Sequence, residues 1–106
     1  MTSKSSITID DLRLPAVHPG EVLADELAEL DVSVSALARA IDVPQSRMAD
    51  VVKGRRAVTA DTALRLARYF GTSARFWMNL QASHDLAQAE AERGAHIAAV
   101  VRPHAA

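Results

Sequence analysis

The stretch Val34–Lys53, VSALARAIDVPQSRMADVVK, decides how the rest of the chain is read. It divides into two short helices with a tight break between them. The first carries Leu37 and Ile41 four apart, and the second carries Met48 and Val51 three apart. Residues at those separations share a helix face, so each segment has an apolar stripe. Between them lies Ile41-Asp42-Val43-Pro44. Pro44 suits a helix start, where its missing N–H costs nothing. A turn of three to four residues between crossed helices defines the helix-turn-helix unit. Ala38 faces the turn, where crossed helices approach closely and need a small side chain. Asp42 takes the turn position that usually holds glycine, and aspartate tolerates the left-handed conformation better than most residues.

Any small helical protein contains such a helix pair, so the pair alone does not imply DNA binding. The second helix adds to it. Its exposed positions read Gln45, Ser46, Arg47, Ala49, Asp50 and Lys53. Gln and Arg grip adenine and guanine edges in the major groove, each good pair contributing roughly 1–3 kcal/mol of discrimination. Here they occupy the first turn, the part of a recognition helix that meets bases.

The whole chain of 106 residues suffices for one compact domain with a core, and 49% hydrophobic residues predict a packed interior. Having no cysteine, it has no disulfide framework, thiolate metal site or cysteine nucleophile. It contains no apolar run of membrane-spanning length, and MTSKSSITID lacks the apolar core of a signal segment. A soluble cytoplasmic protein, associated with the nucleoid when bound to DNA, is the expectation. The net charge of -1 conceals two poles. Arg39, Arg47, Lys53, Arg55, Arg56, Arg65, Arg68 and Arg75 face only Asp42, Asp50 and Asp61 as opposing charges in that span. From Pro19 to Asp31 the charges are all acidic: Glu21, Asp25, Glu26, Glu29 and Asp31. Separated poles let one face meet phosphates and the other a second partner.

Residues 1–17 read as an N-terminal arm, with a polar start and Pro15 opposing a through-going helix. An extended segment laid on the body is expected, with a short edge strand as the alternative. HPGEVLADELAELD then opens the folded part. Pro19 lies in its first turn, and Glu21 favours the positive end of the helix dipole. Leu23, Leu27 and Leu30 form the buried stripe. Ser33 caps the first helix of the central unit. Gly54 stands where a residue past a helix end needs positive φ. Arg55 and Arg56 follow in the loop, as paired phosphate clamps or simply as solubilising charges. Thr59 caps the next helix, in which Ala63, Leu66, Ala67 and Phe70 form the stripe, Leu64 widens it and Gly71 ends it. Ser73 caps a further helix whose Phe76, Trp77 and Leu80 plug the core. From Leu80 onward the residues turn alanine-rich, which favours helix. Such a helix, extending past the body, suits packing on a second copy. Gly94 is expected to end it, and HIAAVVRP reads either as a short strand or as another helical turn.

With the helix order in place, the chain resembles the XRE-type, phage-repressor-like DNA-binding family, and more narrowly the HigA/VapI antitoxin family. Four blocks carry the resemblance: His18-Pro-Gly-Glu-Val-Leu, Gln45-Ser-Arg, Lys53-Gly-Arg-Arg-Ala-Val-Thr-Ala-Asp-Thr-Ala-Leu-Arg-Leu-Ala-Arg and Phe70-Gly-Thr-Ser-Ala-Arg-Phe-Trp-Met-Asn-Leu-Gln. Two positions depart from the family pattern. Asp42 replaces the usual turn glycine, and Pro44 stands where a capping serine is usual. The resemblance implies an all-α, five-helix repressor-like domain at residues 18–80 and a C-terminal helical extension at 81–106 that dimerises. It implies a homodimer with two linked activities: neutralising a RelE/HigB-like toxin that cleaves mRNA, and repressing its own operon by binding double-stranded DNA at a pseudo-palindromic operator. A free-standing XRE regulator without a toxin is the alternative. By position, Gln45, Ser46 and Arg47 meet bases, while Lys53, Arg55 and Arg56 meet the DNA backbone, with Thr59 and Thr62 as further phosphate contacts. Toxin binding is expected on the acidic face: Glu21, Asp25, Glu26 and Glu29.

Catalysis is the rival from another class. The histidines His18, His84, His96 and His104 make no metal-like pair four apart. Neither a Ser–His–Asp set nor a glycine-rich phosphate loop stands out. The expectation is a protein that is not an enzyme, with no cofactor, no metal and no membrane association.

Overall fold

The computed structural model describes residues 17–105, and among these the regular elements are five helices: α1 (Pro19–Leu30), α2 (Val34–Ile41), α3 (Gln45–Val52), α4 (Ala60–Phe70) and α5 (Ala74–Val100). The expected arm, residues 1–17, lies outside the described residues except for Val17. Four of the five helices start where a local side chain satisfies an orphan N–H. Ser33 Oγ accepts from the Ala36 N–H at 3.0 Å, Thr59 Oγ1 from the Thr62 N–H at 3.3 Å, and Ser73 Oγ from the Phe76 N–H at 3.0 Å. At α1 the cap is an imidazole: His18 Nδ1 accepts from the Gly20 N–H at 2.9 Å, with Pro19 next in line. Asp42 adopts the left-handed conformation expected of it, with φ 58 and ψ 54, and Asp31 does the same at the end of α1. Pro44 sits one residue before α3 as its N-cap and offers no side-chain cap bond.

The core is built from the predicted stripes. Leu23 and Leu27 of α1, Leu37 and Ile41 of α2, Met48 and Val51 of α3, Ala63 and Leu66 of α4, and Trp77 and Leu80 of α5 are buried together. Ala38 is buried as well, at the α2–α3 crossing. Gly20 marks the closest approach of α1 to α3. A Cβ there would lie 2.1 Å from the Val51 carbonyl oxygen and 2.7 Å from that of Val52. Trp77 carries its indole N–H to Thr72 Oγ1 at 2.8 Å, which removes the cost of burying that donor.

Four expectations about packing need correction. Leu30 is the last residue of α1 and is 53% exposed; Val32, just past the Asp31 reversal, packs against the core instead. Leu64 is 64% exposed, because Ala63, Leu66 and Phe70 set the stripe and Leu64 lies about 100° around the helix from Ala63. Phe76 is partly exposed, its ring set edge-on to Trp77 at 5.1 Å rather than inside the core. Gly94 does not end α5: the helix runs on to Val100, so residues 95–100 form helix rather than strand. An interior glycine costs a helix about 1 kcal/mol relative to alanine, and the surrounding alanines offset it.

α5 is 27 residues long, about 40 Å at 1.5 Å per residue. Its first part is held by the body through Trp77, Leu80 and Gln81; from Ala82 onward no described residue is fully buried. The expected boundary at residue 80 thus falls within one unbroken helix. No described helix is long and apolar enough to cross a membrane.

By sequence Arg65 belongs to the basic pole, but its guanidinium faces the end of α2. It donates to the Ile41 carbonyl at 2.9 Å and the Asp42 carbonyl at 3.2 Å, while Nε donates to Asp61 Oδ2 at 2.9 Å. Carbonyls at a helix C-terminus are orphan acceptors carrying partial negative charge, so a cation there is favourable. Arg65→Ala is expected to lower stability by about 1 kcal/mol, a charged hydrogen bond discounted for partial exposure. Urea denaturation followed by circular dichroism measures this, and a midpoint equal to wild type would deny Arg65 that role.

Candidate nucleic-acid interface

α3 is only eight residues long, and burial of Met48 and Val51 fixes its rotation. With those two inward, Gln45 and Ser46 are exposed and Arg47 is half-buried. All three belong to the first turn, directly after Pro44. Because Pro44 supplies no capping side chain, the first N–H groups of α3 keep their positive end of the helix dipole open to an anion. Gln45 is tethered from α2. Ser35 Oγ donates to Gln45 Oε1 at 3.4 Å, and Arg39 Nη1 donates to Ser35 Oγ at 3.1 Å. Ser35 and Arg39 therefore border the same face. Their four-residue spacing on a helix was the signal for that pairing, and the sequence reading did not include them in the site.

The loop after α3 continues the basic surface. Lys53, Arg55 and Arg56 are exposed. Gly54 has φ 78, the left-handed conformation its position required. The Gly54 N–H bonds to the Val51 carbonyl at 3.0 Å and the Arg55 N–H to the Asp50 carbonyl at 2.8 Å, so the loop is a defined turn. Its far end is held by α5: the Val58 N–H donates to the Oε1 of buried Gln81 at 2.7 Å. That contact spans 23 residues of sequence and had no local signal.

The two threonines separate. Thr62 is 2% exposed, and its hydroxyl accepts from Thr59 Oγ1 at 3.2 Å. Thr62 is thereby a buried part of the α4 cap, which removes it from the expected phosphate contacts. Thr59 is exposed, with its hydroxyl engaged in that cap. On the acidic side, Glu21, Asp25 and Glu29 are exposed and Glu26 is half-buried. Glu26 also lines a groove of about 230 Å³ with Val22, Phe70, Thr72, Phe76 and Trp77.

The profile described as Helix-turn-helix matches residues 23–77. Virulence-associated protein I of Dichelobacter nodosus is 46% identical over 89 residues, which cover 83% of this chain and 82% of that protein. An addiction module antidote protein of the HigA family from Coxiella burnetii superimposes with a TM-score of 0.81 at 43% identity, covering 86% of this chain and 100% of that one. The antitoxin HigA of Pseudomonas aeruginosa, solved with the higBA promoter, gives a TM-score of 0.81 at 48% identity over the same shares. The chain, whose described residues form five helices with the second and third as the predicted pair, thus belongs to the helix-turn-helix family and, within it, to the group of HigA antitoxins and virulence-associated protein I.

Proposed function

We propose that this chain is the antitoxin of a type II toxin–antitoxin system. It neutralises a small mRNA-cleaving toxin of the RelE/HigB-like class and represses its own operon as a DNA-bound homodimer. The observation that carries this reading is the outward first turn of α3, with Gln45 and Ser46 exposed beside the loop of Lys53, Arg55 and Arg56. Its relative from Pseudomonas aeruginosa, 48% identical, was solved with promoter DNA.

In this reading Gln45, Ser46 and Arg47 read base edges, and Lys53, Arg55 and Arg56 grip phosphates. A dimer sets two copies of α3 into successive major grooves about 34–36 Å apart, so the operator is a pseudo-palindrome. The distal part of α5 supplies the dimer contact. Leu86, Ile97 and Val100 are all exposed and fall within about 60° of one another around the helix. A single-sided apolar stripe on a projecting helix is suited to a second copy. Residues 18–80 are then the DNA-binding part and 81–106 the dimerising part.

Salt dependence provides the first test. Phosphate contacts release counterions, so affinity for a duplex from the chain's own upstream region falls steeply as salt rises. Arg56→Ala weakens specific and scrambled duplex alike and flattens the salt slope by about one. A salt slope unchanged in Arg56→Ala would exclude that contact.

The toxin docks on the α1 face, where the charge is uniformly negative and the partner class is basic. Reversing Glu26 and Glu29 to Lys together is expected to weaken toxin binding at least about tenfold by like-charge repulsion, leaving operator affinity unchanged. Co-purification with the protein of the adjoining reading frame, with a gel shift alongside, reads both arms. Unchanged capture of the toxin places the interface elsewhere. A chain that shifts the operator but captures no small basic protein is a free-standing repressor.

A further inference from the structure

We infer that His18 is a positioning residue for DNA binding: its neutral imidazole holds the loop of Arg55 and Arg56 in its phosphate-gripping shape, and protonation releases it. The inference rests on the loop's role in the proposed DNA interface. It concerns a residue that touches no DNA.

The geometry joins three parts of the fold at one ring. His18 is buried, at 8% exposure, just ahead of α1. One ring nitrogen, Nδ1, accepts the Gly20 N–H at 2.9 Å, so Nδ1 carries no proton in this structure. The ring lies over Gly54: a Cβ built on that glycine would sit 3.6 Å from His18 Cγ. The Arg56 backbone also lies near the ring, on the side that favours its protonated form. From the other side His84 of α5 meets it edge-on, ring centroids 5.0 Å apart. His84 Nδ1 lies 3.2 Å from Asp85 Oδ1, and the same carboxylate oxygen accepts from Gln81 Nε2 at 2.9 Å. Gln81 in turn holds the Val58 N–H at 2.7 Å. The loop is thus packed against His18 at Gly54 and fastened at Val58 by Gln81.

Protonation of His18 puts an N–H on Nδ1, facing the Gly20 N–H. Two donors then oppose each other at the positive end of α1, and the cap is lost. The ring can relieve this only by turning, and turning withdraws it from Gly54 and Arg56. The charged groups around it do not remove the conflict. Burial lowers the pKa of His18 below its ordinary value, and His84 lowers it further; Asp85, the Arg56 backbone and Glu21 act in the opposite direction without reversing the shift. A lowered pKa means that the ordered arrangement binds fewer protons than the released one. Its stability is therefore full above the ordinary value of 6.5 and is lost as pH falls through that value toward the lowered one.

The test measures affinity for a duplex from the chain's own upstream region between pH 7.5 and 5.5 at fixed salt. One proton taken up on loop release weakens wild type by up to about tenfold per pH unit across the window. The direction is diagnostic, because generic protonation of histidines adds positive charge and would strengthen phosphate binding. His18→Asn keeps a capping acceptor but neither titrates nor reaches Gly54 as an imidazole does. It is expected to bind several-fold more weakly than wild type at pH 7.5 and to lose the acid-dependent fall. His96→Asn, exposed on distal α5, retains the wild-type profile. Amide shifts of Gly54 and Arg56 in the free protein, followed with the His18 ring resonances, should titrate together. An equal acid-dependent loss in His18→Asn, or loop amides that ignore the His18 titration, overturns the inference while leaving DNA binding intact. Absence of duplex binding by wild type at every pH instead removes the DNA-interface reading, and the inference with it.

Discussion

Gly20→Ala is expected to destabilise the fold by about 3 kcal/mol, at the upper end of overpacking costs. The added methyl carbon would lie 2.1 Å from one backbone carbonyl oxygen and 2.7 Å from another, those of Val51 and Val52. A side chain can swing aside from such an intrusion, but a carbonyl in the last turn of a helix cannot without moving the helix. So α1 must retreat from α3, and the contacts of Leu23 and Leu27 with the common core loosen together. The sign is informative because the local effect runs the other way. Alanine is favoured over glycine in a helix by about 1 kcal/mol, so an unobstructed site would be stabilised. In a domain of this size the expected loss corresponds to a midpoint roughly 10–20 °C lower. Thermal unfolding followed by circular dichroism reads it directly. A midpoint at or above that of wild type would mean that α1 and α3 lie farther apart. The variant is also expected to bind DNA more weakly, since the α1–α3 contact helps set the pose of the helix proposed to enter the groove.

Gly20 also shows where sequence reading ended. His18-Pro-Gly-Glu was legible as a helix start, because capping involves neighbours within three residues. The same holds for Ser33, Thr59 and Ser73, for Asp42 in its left-handed turn and for Gly54 after α3, all of which took the expected conformations. Their causes are local, and a local cause leaves a local pattern. What Gly20 does depends on Val51 and Val52, 31 and 32 residues away, and nothing in its own neighbourhood marks it. Arg65 and Gln81 belong with it: their partners lie 24 and 23 residues distant, and in the sequence they look like ordinary surface residues of a helix. Periodicity failed at stripe edges for a related reason. Leu30, Leu64 and Phe76 satisfy the spacing, but burial needs an opposing element, and spacing does not say where a helix runs out of neighbours. Thr62 failed the opposite way, being polar and yet enclosed by the cap it helps to build. For the interface, the first turn of α3 was readable because Met48 and Val51 must turn inward and so commit their neighbours outward. The Ser35–Arg39 pair was legible from its four-residue spacing, but the contact of Ser35 with Gln45 across the turn and the hold of Gln81 on Val58 of the neighbouring loop were not.

Arg47→Ala is expected to cost about 1–3 kcal/mol on the cognate operator, a loss of roughly 5- to 150-fold, and much less on scrambled duplex. Arg47 differs from the loop arginines in its setting. Arg55 and Arg56 are exposed on a turn, free to follow a phosphate of any sequence, whereas Arg47 is half-buried within α3, between Ser46 and Met48. The buried Met48 beside it fixes the helix rotation, and with it the direction in which the Arg47 side chain leaves the helix. A guanidinium fork carried on a fixed helix face suits recognition of two acceptors on one base edge. Gln45 is carried on the same helix and held by Ser35. Gel shifts on cognate and scrambled duplex at one salt concentration separate the roles. A loss confined to the cognate site identifies base reading, and relaxed preference at one base position locates it. Equal losses on both duplexes would put Arg47 with Arg55 and Arg56 as a phosphate contact. Specificity would then rest on Gln45 and Ser46, and Gln45→Ala would have to show the larger cognate-only loss.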